Sequence, residues 1–137
     1  GQVLPNGQIA DEGTALVETL EAVKDAFENN KNVGISCAFK NAGLGVGIPD
    51  TGRCRIVIKD GKVVIRTSAA CIGQGVGTIA TQILCETTGI DPKQVSVDNP
   101  DTFTTPNSGT TTASRQTVFT GEATRAAALK LKDALKD

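Results

Sequence analysis

Two short segments of this chain carry residue types and spacings that could do chemistry. The first is Gly73-Gln74-Gly75-Val76-Gly77-Thr78, between an apolar strand pattern and a helical one. Glycines there let backbone approach a ligand without a Cβ in the way. A helix N-terminus behind them offers free N–H groups and partial positive charge, which suits phosphate or another anion. Gln74 adds an amide that both donates and accepts. The spacing is GxGxG. It is not the dinucleotide-binding GxGxxG, and no Lys-Ser/Thr pair follows as in a phosphate-binding P-loop. The second segment is Thr105-Pro106-Asn107-Ser108-Gly109-Thr110-Thr111-Thr112-Ala113-Ser114-Arg115-Gln116, which also runs from a loop into a helix. Its hydroxyls and amides could donate to oxyanions, and Arg115 adds a charge. Taken singly, each has a plain alternative: a tight strand-to-helix turn for the first, a solvated Thr-rich loop with an ordinary cap for the second.

Composition narrows the chemistry further. The chain of 137 residues has no His, Met, Trp or Tyr. Without His there is no ordinary base near neutral pH, and Ser-His-Asp or Cys-His catalysis is excluded within the chain. Cys37, Cys54, Cys71 and Cys85 are too widely spaced for any CxxC pattern, so zinc and iron–sulfur ligation are not expected. They read as free thiols, Cys71 as a small buried one. Glu122 reads as a surface helix position. With 14 basic and 15 acidic residues and no basic stripe, nucleic-acid binding is unsupported. No apolar run approaches the ~20 residues of a membrane span. No residue is assigned a catalytic or metal-ligating role. Gly1 in place of Met is expected to mark a processed or excised piece of a larger parent.

The elements that must position the two segments follow from periodicity. Residues 1–13 are polar and hold Pro5, Gly7 and Gly13, and read as a tail or linker ahead of a domain at 14–137. Thr14 looks like an N-cap for a helix striped by Leu16, Leu20, Val23 and Phe27. Val33 to Phe39 reads as a strand, and the glycine-rich residues 40–52 as a loop. Arg53 to Lys59 alternates, with Cys54, Ile56 and Ile58 on one face. Asp60-Gly61 predicts a tight hairpin turn, and Lys62 to Ser68 returns. A helix through about Thr88 buries Ile79, Ile83 and Leu84, with Gly89 as its stop. Val95 and Val97 mark a short strand. A last helix from about Ser114 to Lys136 presents Ala123, Ala127, Leu131 and Leu135. The order implies an α+β fold: a two-layer α/β sandwich with a β-hairpin and three helices. Both segments should then meet at one edge of the sheet.

Taken together, Ile72-Gly73-Gln74-Gly75 with its helix, then Pro106-Asn107 and Thr112-Ala113-Ser114, resemble the large subunit of the xanthine dehydrogenase and aldehyde oxidase family. The spacing from Gln74 to Ala113, the Gly34-Ile35-Ser36-Cys37 stretch and the Asp60-Gly61 hairpin fit the same pattern, over roughly residues 33–130. Bacterial xanthine dehydrogenase-type molybdenum subunits are the nearest in character.

The resemblance implies a subdomain of a molybdenum cofactor-binding domain. It implies molybdopterin, as the cytosine dinucleotide, in the full-length protein, with none held by this chain alone. Gly73, Gln74 and Gly75 would approach the pterin or the metal's ligands. Ala113 and Ser114 would lie beside the molybdenum centre, with Arg115 and Gln116 on the cofactor. Cys71 departs from the family, where an acidic residue is frequent. The family's glutamate base comes from a later segment, so the isolated chain is expected to be inactive. The implied partners are the rest of the molybdenum subunit, iron–sulfur and FAD subunits or domains, and a purine or aldehyde substrate, in the cytoplasm. The competing reading is a stand-alone module for a small phosphorylated ligand.

Overall fold

In the computed structural model, residues 1–136 are described apart from 5, 6, 8, 39, 41 and 46. They form two compact units, Gly1–Asn41 and Ala42–Asp137.

The first unit is built around helix α1, Leu16–Glu28. Thr14 does not cap it. The N-cap position is Ala15, with no side-chain hydrogen bond. Instead Asp11 organises the approach, its Oδ1 accepting from Gly13 N–H at 3.0 Å and its carbonyl from Thr14 N–H at 3.0 Å. Ahead of it, Val3 and Ile9 form an antiparallel bridge, and the N-terminal amine donates to the Ala10 carbonyl at 2.7 Å. The strand expected over Val33–Phe39 is not seen at residues 33–38, and Phe39 lies outside the described residues. Alternating apolar residues fix an extended segment, but a strand also needs a paired edge. None among the described residues bonds to it.

The second unit is a three-stranded sheet with two helices packed on it: β1 Arg55–Lys59, β2 Lys62–Arg66, α2 Val76–Thr88, a short 3-10 turn at Pro92–Gln94, β3 Val95–Val97 and α3 Gln116–Ala134. It supplies the expected two layers, and α1 is the third helix of the α+β fold. The strand order is β1-β2-β3. The hairpin is as expected. Asp60 and Gly61 have φ of 51° and 72°, the left-handed pair a two-residue turn requires, and they set Lys59 opposite Lys62. Ile58, on the same alternating face as Cys54 and Ile56, is 62% exposed at the hairpin's end.

Strands β2 and β3 run parallel, joined through α2. The loops after β2 and after β3 therefore leave the same, carboxyl-terminal edge of the sheet, where ligands of βαβ units bind. Arg66 and Asp98 pair across these strand ends at 2.7 Å. The core is Val63, Ile65, Ala80, Leu84 and Ala128. Leu84 and Ile65 are wholly buried, each stabilising the fold by about 1.5–3 kcal/mol. Ile79 and Ile83, expected inside with Leu84, are half-buried, and the inner line of α2 is Val76, Ala80 and Leu84.

Helix α3 starts two residues later than expected, because Ser114 (φ 53°) cannot be helical. Its buried line is also rotated from the expected one. Gln116, Thr120, Thr124 and Ala128 face inward, while Ala123, Ala127 and Leu131 are half-buried and Leu135 is exposed. Apolar periodicity misses this face because its hydroxyls are satisfied locally. Thr124 O–H, for instance, donates to the Thr120 carbonyl at 2.8 Å.

Candidate functional site

The loop after β2 is shaped by its own residues. Gly73 and Gly75 have φ of 107° and 74°, and a Cβ built on either would meet nothing within 4 Å. Glycine is required there by conformation, and the space beside the backbone is open. The Gln74 side chain folds onto this loop. Its Oε1 accepts from Ile72 N–H at 2.6 Å and its Nε2 donates to the Ala70 carbonyl at 3.1 Å.

The loop after β3 is held against it. Ser68 N–H donates to the Pro106 carbonyl at 3.2 Å, and Ser108 N–H to Ser68 Oγ at 2.6 Å. Thr111 O–H donates to the Ala70 carbonyl at 3.1 Å. Ile72 and Gln74 consequently line one depression of about 330 Å³ with residues 111–117. The two segments singled out in the sequence thus meet, but only in part. Gly75, Gly77 and Thr78 turn to a neighbouring hollow lined also by Cys71, Val97 and Pro100.

Within the depression, Ala113 and Ser114 stand in adjacent left-handed conformations, φ 50° and 53°. Non-glycine residues hold such angles only where their surroundings impose them. Two contacts do so. The Ala113 carbonyl accepts from Gly43 N–H at 3.0 Å. Arg115, directly after the pair, is 2% exposed and anchors in the protein. Its guanidinium donates to Asp50 Oδ1 at 2.7 Å and to the carbonyls of Ser108, Thr110 and Thr51 at 2.7, 3.0 and 2.7 Å. It also lies 5.5 Å over the Phe119 ring. The Arg115 guanidinium holds the Asp50 carboxyl below the usual range. Sequence reading placed Arg115 on the cofactor. Here its side chain is committed to bracing the loop.

Gln116 opens α3, its Nε2 donating to Thr111 Oγ1 at 3.1 Å and its Oε1 accepting from Thr120 O–H. Neither α2 nor α3 has a side-chain N-cap. Their first-turn amides have no partners inside the helix.

Cys71 is exposed rather than buried. Backbone N–H groups of Gly73, Gly75 and Val76 converge on its sulfur and lower its pKa, so the same glycine turn that frees backbone for a ligand also favours a thiolate. Burial pushes the thiols of Cys54 and Cys85 up. Glu122 is a surface residue paired with Arg125 at 2.6 Å. Among the described residues no group of three or more Cys, Asp or Glu side chains could hold a metal ion. Among the described residues no helix is long and apolar enough to cross a membrane.

The pattern of the molybdopterin cofactor-binding domain matches residues 12–137. The chain belongs to this family. The gamma subunit of the 6-hydroxypseudooxynicotine dehydrogenase complex of Paenarthrobacter nicotinovorans is 31% identical over 129 residues, 94% of this chain and 16% of that subunit. The putative xanthine dehydrogenase molybdenum-binding subunit of Escherichia coli is 33% identical over 105 residues, 75% of this chain and 14% of that subunit. The solved structure of the aldehyde oxidoreductase from Desulfovibrio gigas superposes with a TM-score of 0.69 at 27% identity, over 98% of this chain and 16% of that one. The chain therefore spans about a sixth or less of the length of these relatives. They give no support to the stand-alone phosphoryl-ligand module.

The residues present fit one edge of a pterin-type cofactor. The open space beside the glycine backbone gives room, and the opening turn of α3, which lacks a side-chain cap, offers donors. The 330 Å³ depression is a partial cradle, well short of enclosing a dinucleotide. Sequence reading missed the supports beneath it: Asp50, Gly43, Gly52 and Thr120. A Cβ on Gly52 would sit 2.0 Å from the Phe119 carbonyl oxygen, so β1's approach passes against the backbone of α3. Only the Thr spacing along α3 hinted at this buried polar face.

Proposed function

We propose that this chain is the part of a molybdenum hydroxylase that presents two loops to molybdopterin, in a protein that hydroxylates a purine or an aldehyde. The observation that carries it is the meeting of Gln74 with residues 111–117 around one depression, in a chain of the molybdopterin-binding family. On this reading residues 14–137 are a partial cofactor-binding subdomain and 1–13 a lead-in. Gly73, Gln74 and Gly75 contact the pterin side, and Ala113 and Ser114 lie beside the metal centre. Gln116 orients the second loop, and Arg115 braces it from behind. The cytosine dinucleotide form, iron–sulfur and FAD partners, and a cytoplasmic setting belong to the same proposal.

When bound, the cofactor supplies the oxidising chemistry, and the protein's share is binding and orientation. Hydroxylation also needs a base within hydrogen-bond reach of the reacting oxygen. The described residues at the depression offer no such group, so the chain by itself is proposed to be silent.

The test is Gln74→Ala in the longer protein that carries this chain, loaded with cofactor. Turnover should fall roughly ten- to a hundredfold, the equivalent of ~1–3 kcal/mol for a polar partner left unpaired, with the melting temperature nearly unchanged. Lost folding with normal specific activity would make Gln74 a turn residue alone.

A further inference from the structure

The polar groups buried under the depression form one continuous chain whose direction can be read. Arg53 N–H donates to Ser108 Oγ at 2.8 Å, so that oxygen is an acceptor. Ser108 Oγ and Thr120 Oγ1 are 2.7 Å apart, and either could donate. Thr120, however, gives its only O–H to Gln116 Oε1, so Ser108 must be the donor. With its Oε1 so occupied, Gln116 turns its Nε2 to Thr111 Oγ1. The Thr111 O–H then has one direction left, to the Ala70 carbonyl, which Gln74 Nε2 also meets. Ser108, Thr120 and Gln116 are 0%, 2% and 5% exposed. Water cannot replace a partner there, so each link fixes the next.

We propose that Ser108, Thr120, Gln116 and Thr111 are positioning residues that couple the two cofactor loops into one unit. The register of the 70–75 loop, and with it Gln74, is set from inside α3. The consequence for ligand contact rests on the cofactor reading above; the coupling itself does not. Two loops held by separate turns would move independently and pay for ordering twice on binding. Joined through a directional chain, they present one preorganised edge.

The test uses the 137-residue chain without cofactor, by backbone NMR, so that it stands or falls apart from cofactor binding. Thr111→Val keeps the branched shape but removes the O–H. It should shift the amides of residues 71–75 and lower their order parameters from about 0.85 toward 0.6. Thr120→Val, two links further along the chain, should disturb the same amides more weakly. Thr111→Ser restores the O–H and should restore both readouts. Thr117→Val, which also lines the depression but lies outside the chain of bonds, should leave residues 71–75 untouched. The proposal is overturned if Thr111→Val matches Thr117→Val at residues 71–75, or if Thr111→Ser fails to restore them. If Thr120→Val loses its fold, Ser108→Ala reads the same link.

Discussion

The thiol of Cys71 sits where three backbone N–H groups of the glycine turn converge, and they lower its pKa. The lowered pKa means that Cys71 holds a larger thiolate fraction than an ordinary thiol at the same pH. Burial acts oppositely on Cys54 and Cys85. Iodoacetamide at neutral pH should therefore label Cys71 well ahead of Cys54 and Cys85, as peptide mapping would show. Equal rates at these three sites would mean that the turn does not stabilise charge. The glycine turn was legible in the sequence because Gly73 and Gly75 are required by their positive φ. The inward turn of Arg115 was not legible, because a guanidinium beside a Thr-rich loop suits an outside anion and an inside carboxylate equally well. Only the fold brings Asp50, 65 residues away, to its side.

At the level of elements, the hairpin and α2 could be read because each announces itself locally: Asp60-Gly61 as a left-handed pair, Gly89 as a stop (φ 81°). The inner face of α3 could not, since a stripe of Gln116, Thr120 and Thr124 resembles a solvated one until its partners are known. Nor could the absence of a strand at 33–38, where alternation is present but no segment among the described residues pairs with it. Gly52 was read as one of several loop glycines, yet it is where chain meets helix backbone. Gly52→Ala should cost about 1–3 kcal/mol or more by overpacking, because Phe119 backbone cannot step aside. Gly61→Ala, with nothing near its Cβ, should carry only the cost of its positive φ. Denaturant titration of the two variants would compare them, and equal losses would mean that the Gly52 contact is not tight.

For the whole molecule, the parallel pairing of β2 and β3 brings both loops to one edge, in a chain that belongs to the molybdopterin cofactor-binding family. The central claim is that this edge binds molybdopterin. Its most direct test is the molybdenum content of the longer protein that carries this chain, made in a host that produces the cofactor, against a Gly73→Ala/Gly75→Ala variant. Both substitutions put a methyl into open space beside the loop, with no atom within 4 Å, and strain its positive φ. The parent should carry stoichiometric molybdenum, and the variant should lose most of it while keeping its circular dichroism and cooperative melting. A parent devoid of molybdenum, or a folded variant that retains it in full, would contradict the claim.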